Sequence, residues 1–169
     1  MENTIKEKLI KEARRIEEDS LYSAKGHFAA ANFWTNFHLL IGVPTAILAA
    51  IASASALSQF NNHNIIAGVL AILVTALTAI TTFLNPNKKA NSHQNAGNKY
   101  NSLRNKARIF CEIDCCGEDS IQKLTERLKE LAKNRDELNK NSPQIPRWAY
   151  KKAKKGIEGG EADYKVDKK

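Results

Sequence analysis

The sequence predicts an all-α membrane protein: a two-helix transmembrane hairpin with cytoplasmic amphipathic helices from both arms. Three observations predict it. No Asp, Glu, Lys or Arg occurs between Lys25 and Lys88, although charged residues are 26% of the chain. Within that interval lie two apolar stretches, residues 37–57 and 65–84, joined by the polar loop 58–64. Each is about 20 residues, or roughly 30 Å as a helix, which matches the hydrocarbon thickness of a bilayer. The third observation is the charge asymmetry. Residues 1–25 carry six basic and six acidic side chains, while the region from Lys88 carries twenty and twelve and holds the whole excess of +8. By the positive-inside rule both termini are expected in the cytoplasm, with the loop on the other side. The mean hydropathy of −0.44 resembles that of a soluble protein only because the charged ends mask the apolar middle.

The expected organisation is an N-terminal cytoplasmic or interfacial helix over 1–36 and the hairpin over 37–84. A cytoplasmic helical region over 85–158 and a disordered tail over 159–169 follow. The length suits one structural unit rather than two. The start does not read as a cleavable signal peptide, because charges of both signs fill it and no short apolar core lies near residue 10.

Each element has its own signal. Ile5, Leu9 and Ile16 recur at helical spacing among charges, so the first arm reads as an amphipathic helix. Gly26 is a bend candidate. Phe28, Phe33, Trp34 and Phe37 then fall where a headgroup belt of aromatics belongs.

In the first span Gly42, Ala46, Ala49, Ser53 and Ala56 share one small-residue face, and Pro44 is expected to kink its first turns. In the second span Ile66, Leu70, Leu73, Leu77, Ile80 and Leu84 form a large-apolar stripe. Gly68, Ala71, Thr75, Thr78, Ala79, Thr82 and Asn85 form the opposite face. Small residues let membrane helices approach closely, which makes Gly42, Ala46, Ala49, Gly68 and Ala71 the expected packing positions. Packing of the hairpin and its oligomer is the plainer meaning of these faces. The functional meaning is a narrow water path lined by Ser53, Thr75, Thr78, Thr82 and Asn85. The absence of Asp, Glu, Lys and Arg from both spans argues against a coupled transporter or a voltage sensor.

Asn85-Pro86 reads as the cap and first turn of a new helix. The chain is then strongly basic. Lys88, Lys89, Arg104 and Arg108, together with Arg147, Lys151 and Lys154 near the C-terminus, are candidates to hold anionic lipid headgroups or a ligand's phosphates. Residues 114–120 form a break containing Gly117. Ser120 opens an amphipathic helix bearing Ile121, Leu124, Leu128, Leu131 and Leu138, expected to pack on the N-terminal arm. Ser142-Pro143-Gln144-Ile145-Pro146 ends it, and a short basic helix from Arg147 is expected to close at Gly156.

No phosphate-binding glycine loop, dinucleotide fingerprint, HExxH or catalytic constellation is present, so no enzyme activity and no cofactor are expected. Cys111, Cys115 and Cys116 with His93 fit no familiar zinc spacing, and the cysteines are expected to be reduced and structural. The four histidines are scattered and read as interfacial or surface residues. The pI of about 9.4 is explained by lipid, so nucleic acid is not an expected partner.

Several ordered pieces carry a resemblance. They run from Ile41-Gly42-Val43-Pro44 into Ala52-Ser53-Ala54-Ser55-Ala56-Leu57, then Thr82-Phe83-Leu84-Asn85-Pro86. Ala90, His93, Gly97, Tyr100 and Leu103 follow, and Pro143-x-x-Pro146-x-Trp148 closes the series. Over most of residues 20–158 the chain resembles the SLATT family, bacterial two-transmembrane effectors associated with nucleotide-signalling antiphage systems. The resemblance implies a homo-oligomeric effector in the bacterial inner membrane. It would be triggered by a nucleotide-derived signal and would act by pore formation or membrane disruption, with growth arrest or cell death. It carries over no catalytic or ligand-contacting residue. Many such effectors travel with a sensor domain, and this length leaves no room for one. Sensing is therefore expected through the helical arms, with a nucleotide second messenger or a sensor protein as partner. The alternative is a non-conducting membrane adaptor that recruits a partner protein through its cytoplasmic helices.

Overall fold

The computed structural model describes residues 2–167. Its element order is α1 (Glu2–Ala56), α2 (His63–Leu84), α3 (Pro86–Glu112), a 3₁₀ turn (Asp114–Cys116), α4 (Ile121–Asn141), α5 (Arg147–Glu158) and a last 3₁₀ turn (Lys165–Asp167). No strand occurs among the described residues. Two helices are long and apolar enough to cross a membrane. The chain forms two compact units rather than the single one its length suggests: the hairpin Asn32–Asn91, and a charged helical bundle of residues 2–31 with 92–167. The separation has a physical cause. The hairpin leaves most of its apolar surface open, while the charged segments build a core of their own.

That core joins Leu9, Ala13 and Ile16 of α1, Leu103, Ala107 and Phe110 of α3, and Leu124 and Leu131 of α4. Helix α4 therefore packs on α3 as well as on the N-terminal arm. It starts where expected, with the Ser120 side chain accepting from the Lys123 N–H at 3.4 Å, a serine N-cap. Arg127 bridges Asp114 at 3.2 Å and Asp119 at 3.0 Å, which ties the preceding break to the helix.

Three boundaries differ from expectation. Gly26 does not interrupt α1, which runs from Glu2 to Ala56 through both Gly26 and Pro44. Gly26 instead permits a close approach, since a Cβ there would lie 3.0 Å from Ile145 Cγ2. Helix α5 passes through Gly156 and ends at Glu158, capped by Gly159. Of the expected disordered tail 159–169, residues 168–169 lie outside the described residues, and the rest runs through turns to Asp167, with the Tyr164 ring beneath Arg104 and Arg108.

Asn85 makes the joint between α2 and α3. Its φ of 44° is left-handed, a conformation that Asn tolerates better than most residues. Its N–H bonds the Thr81 carbonyl at 3.0 Å and so closes α2. Its side-chain oxygen accepts from the Lys88 N–H at 3.2 Å and so opens α3.

Candidate functional site

Within the hairpin unit the less exposed residues mark the internal contact. On α1 these include Phe37, Ile41, Thr45, Leu48, Ala52 and Ser55; on α2 they include Ala67, Leu70, Val74, Leu77, Thr81 and Leu84. Both sets recur at three- and four-residue spacing, so each forms one stripe of its helix. Of the large-apolar stripe read from sequence, Leu70, Leu77 and Leu84 lie in this contact, while Ile66, Leu73 and Ile80 are exposed.

The expected packing positions lie mostly elsewhere. Ala46, Gly68 and Ala71 are exposed, and Gly42 and Ala49 are half-buried. A Cβ added at Gly42 or Gly68 would meet nothing within 4 Å. Within the hairpin's own contact the small residues are instead Ala52, Ser55 and Ala67. Thr75, Thr78, Thr82 and Ser53 are also exposed. A shallow groove of about 410 Å³ runs along α2 past Ala71, Ile72, Thr75, Ala76 and Ala79.

The hydroxyls of this face are partly engaged. Ser53 Oγ donates to the Ala49 carbonyl at 2.9 Å, and Thr75 Oγ1 donates to the Ala71 carbonyl at 2.8 Å. Each proton is directed into the helix and the oxygen lone pairs remain available. Ser53 and Thr75 can therefore offer neutral acceptors to water or a cation with their own donors satisfied. Asn85, read as its lower end, is the capping residue described above.

The seven basic candidates divide into three groups. Lys88 and Lys89 belong to the hairpin unit, where Lys89 Nζ lies 4.4 Å from the Trp34 ring centre. Trp34 also contacts Phe33 and Phe37, with ring centres 5.3 and 5.8 Å away. A cation over an aromatic cluster is the arrangement that anchors a helix at a lipid headgroup layer. Arg147, Lys151 and Lys154 are exposed on α5, with Lys154 paired to Glu158 at 3.6 Å. Arg104 and Arg108 enter a cleft of about 800 Å³ together with Arg14 and Tyr164. Neither Arg14 nor Tyr164 was legible as a partner, since 14, 104 and 164 are far apart in sequence and share no local pattern.

The sequence reading also missed a buried polar pair. His27 of α1 and His93 of α3 are 1% and 6% exposed, and their Nδ1 atoms lie 2.9 Å apart. One ring must donate and the other accept, so the accepting imidazole must be neutral. Tyr100 stacks on His27, with ring centres 5.5 Å apart, and its hydroxyl donates to Asn139 Oδ1 at 2.7 Å. Burial, with repulsion from His93, lowers the pKa of His27 from 6.5 to about 4, and burial lowers His93 as well. His93 is therefore engaged with a second histidine and not with the cysteines. Cys111 and Cys115 are buried free thiols, and Cys116 is exposed. Burial pushes the Cys111 thiol up to about 11 and also raises Cys115, which makes both poor nucleophiles.

Gly97 completes this contact. A Cβ there would fall 2.6 Å from the Phe28 ring, so α3 can approach α1 this closely only with glycine at that position. Gly97, His93, Tyr100 and Leu103 all belong to the ordered pieces noted in the sequence, and all four are buried. Residues 7–168 match the model of the SMODS and SLOG-associating 2TM effector domain family 4. The chain belongs to the SLATT family. Comparison with curated proteins and with solved structures gives no match. Membership in SLATT, together with two helices fit to cross a bilayer, makes this a membrane protein and implies a membrane effector of antiphage defence.

Proposed function

We propose that this SLATT protein is a pore-forming or membrane-disrupting effector whose trigger is a nucleotide-derived signal. It acts without catalysis, by growth arrest or cell death. It sits in the bacterial inner membrane with both termini cytoplasmic and works as a homo-oligomer. One observation carries the reading: the small, hydroxyl-bearing face of α2 points away from the hairpin's own contact. Two helices cannot enclose water, so a path along that face needs several hairpins. Small residues favour such assembly, and neutral hydroxyls without charged rings give a path with weak ion selectivity.

The adaptor reading has its own support. Helix α5 leaves Trp148 and Tyr150 about half exposed beside Arg147 and Lys151, a composition common at protein interfaces. Induced expression in the presence of a membrane-potential dye separates the two. The pore reading predicts collapse of the potential within minutes of triggering. An intact potential, with a partner recovered on the α5 face, supports the adaptor instead.

A further inference from the structure

We infer that Arg104 and Arg108 form a phosphoryl-group site that the C-terminal segment masks with Tyr164, and that a phosphate-bearing ligand displaces this strap. The inference gives the proposed trigger a place to act, and it rests on that reading only for its consequence.

Arg104 and Arg108 are four residues apart on α3, so their guanidinium groups project from one face. The Tyr164 ring centre lies 4.7 Å from Arg108 Cζ and 5.5 Å from Arg104 Cζ. A single neutral ring thus covers two cations. Arg14 lines the same cleft but is already engaged by Glu17 at 2.8 Å and by Glu112. Asp163 of the strap also lines the cleft, so an acidic residue accompanies the ring that covers the arginines.

The strap's path is specified by its residues. Gly160 has φ +84°, which reverses the chain just after α5. The Glu161 N–H then bonds the Gly156 carbonyl at 3.0 Å, and Gly156 leaves room for the Glu161 carboxylate. Glu161 reaches Lys25 at 3.4 Å. These clasps are weak ones. The Lys25–Glu161 pair is at the surface, with side chains 32% and 65% exposed, and Tyr164 is 37% exposed. Exposed ion pairs and exposed cation–π contacts contribute little. A phosphoryl group accepts charge-assisted, bidentate hydrogen bonds from guanidinium and is the stronger partner. A lipid headgroup and a free phosphate ester share this chemistry.

The test uses the full chain in nanodiscs. Hydrogen exchange is followed over residues 159–167, and calorimetry reports binding of inorganic pyrophosphate. In phosphatidylcholine discs, pyrophosphate should bind and speed strap exchange several-fold. Discs containing phosphatidylglycerol should do the same without pyrophosphate if headgroups are the source, and should stay protected if a free phosphate is. Tyr164→Ala removes the competitor and should tighten pyrophosphate binding about threefold to tenfold. The double variant Arg104→Gln/Arg108→Gln should exchange quickly at the strap and ignore both probes. Strap exchange unmoved by either probe overturns the inference, as does parental affinity in both the Tyr164 and the double arginine variants. No leakage is measured, so failure here leaves the pore reading standing, and failure of the pore leaves this site standing.

Discussion

Thr78→Leu is expected to return the triggered loss of membrane potential to the level of uninduced cells, while the protein still inserts. Thr78 lies on the exposed face of α2 with Thr75 and Thr82. Its exposure places its side chain outside the α1–α2 contact. Leucine there adds bulk and removes a hydroxyl in the middle of the proposed path, and a narrow apolar constriction closes by dewetting. Leu77→Ile is the matched control. Leu77 is half-buried toward α1, and an isomeric swap costs less than about 1.5 kcal/mol, so conductance should change little. Dye response and membrane fractionation of the two variants check this. Full depolarisation by Thr78→Leu would mean the stripe only packs, and the adaptor reading would then lead.

The second large effect is on the bundle's stability below neutral pH. The His27–His93 contact requires a neutral accepting ring, and the pKa of His27 is lowered from 6.5 to about 4. Above pH 6.5 folded and unfolded chains are both neutral at this site, and its contribution is complete. As pH falls from 6.5 toward 4, the unfolded chain takes up a proton that the fold resists, so stability declines. Each pH unit in that window costs about 1.4 kcal/mol, or on the order of 2 kcal/mol between pH 7 and pH 5. Denaturant unfolding of the protein in micelles at these two pH values measures the drop. The double variant His27→Leu/His93→Leu should lose most of the pH dependence. Equal parental stability at both pH values would contradict the neutral pair.

Features governed by neighbouring residues were legible in the sequence. Ser120 and the leucines after it define α4 through a cap and a helical period, and Asn85-Pro86 defines a joint through local backbone chemistry. The two apolar stretches were visible because a bilayer demands a fixed length of uncharged chain. Features governed by distant residues were not. Gly26 faces Ile145, Gly97 faces Phe28, and His27 meets His93 across 66 residues; no local pattern encodes such pairs. The hairpin illustrates an intermediate case. A helical wheel separates the leucine face of α2 from its small face, but it does not say which face meets α1. The cleft followed the same rule: Arg104 and Arg108 stood out as basic residues, while Arg14 and Tyr164 joined them only through the fold.

Cysteine accessibility in intact cells tests most directly whether the charge-free segment crosses a membrane. It requires no knowledge of the trigger. The chain supplies one reporter itself, since Cys116 is exposed in the charged bundle while Cys111 and Cys115 are buried. Ser58→Cys, made with Cys116→Ser, supplies the other at the hairpin loop. With both arms cytoplasmic, an impermeant maleimide should label the loop cysteine from outside. It should label native Cys116 only after the membrane is permeabilised. Labelling of Cys116 in intact cells, with the loop cysteine protected, would contradict the account.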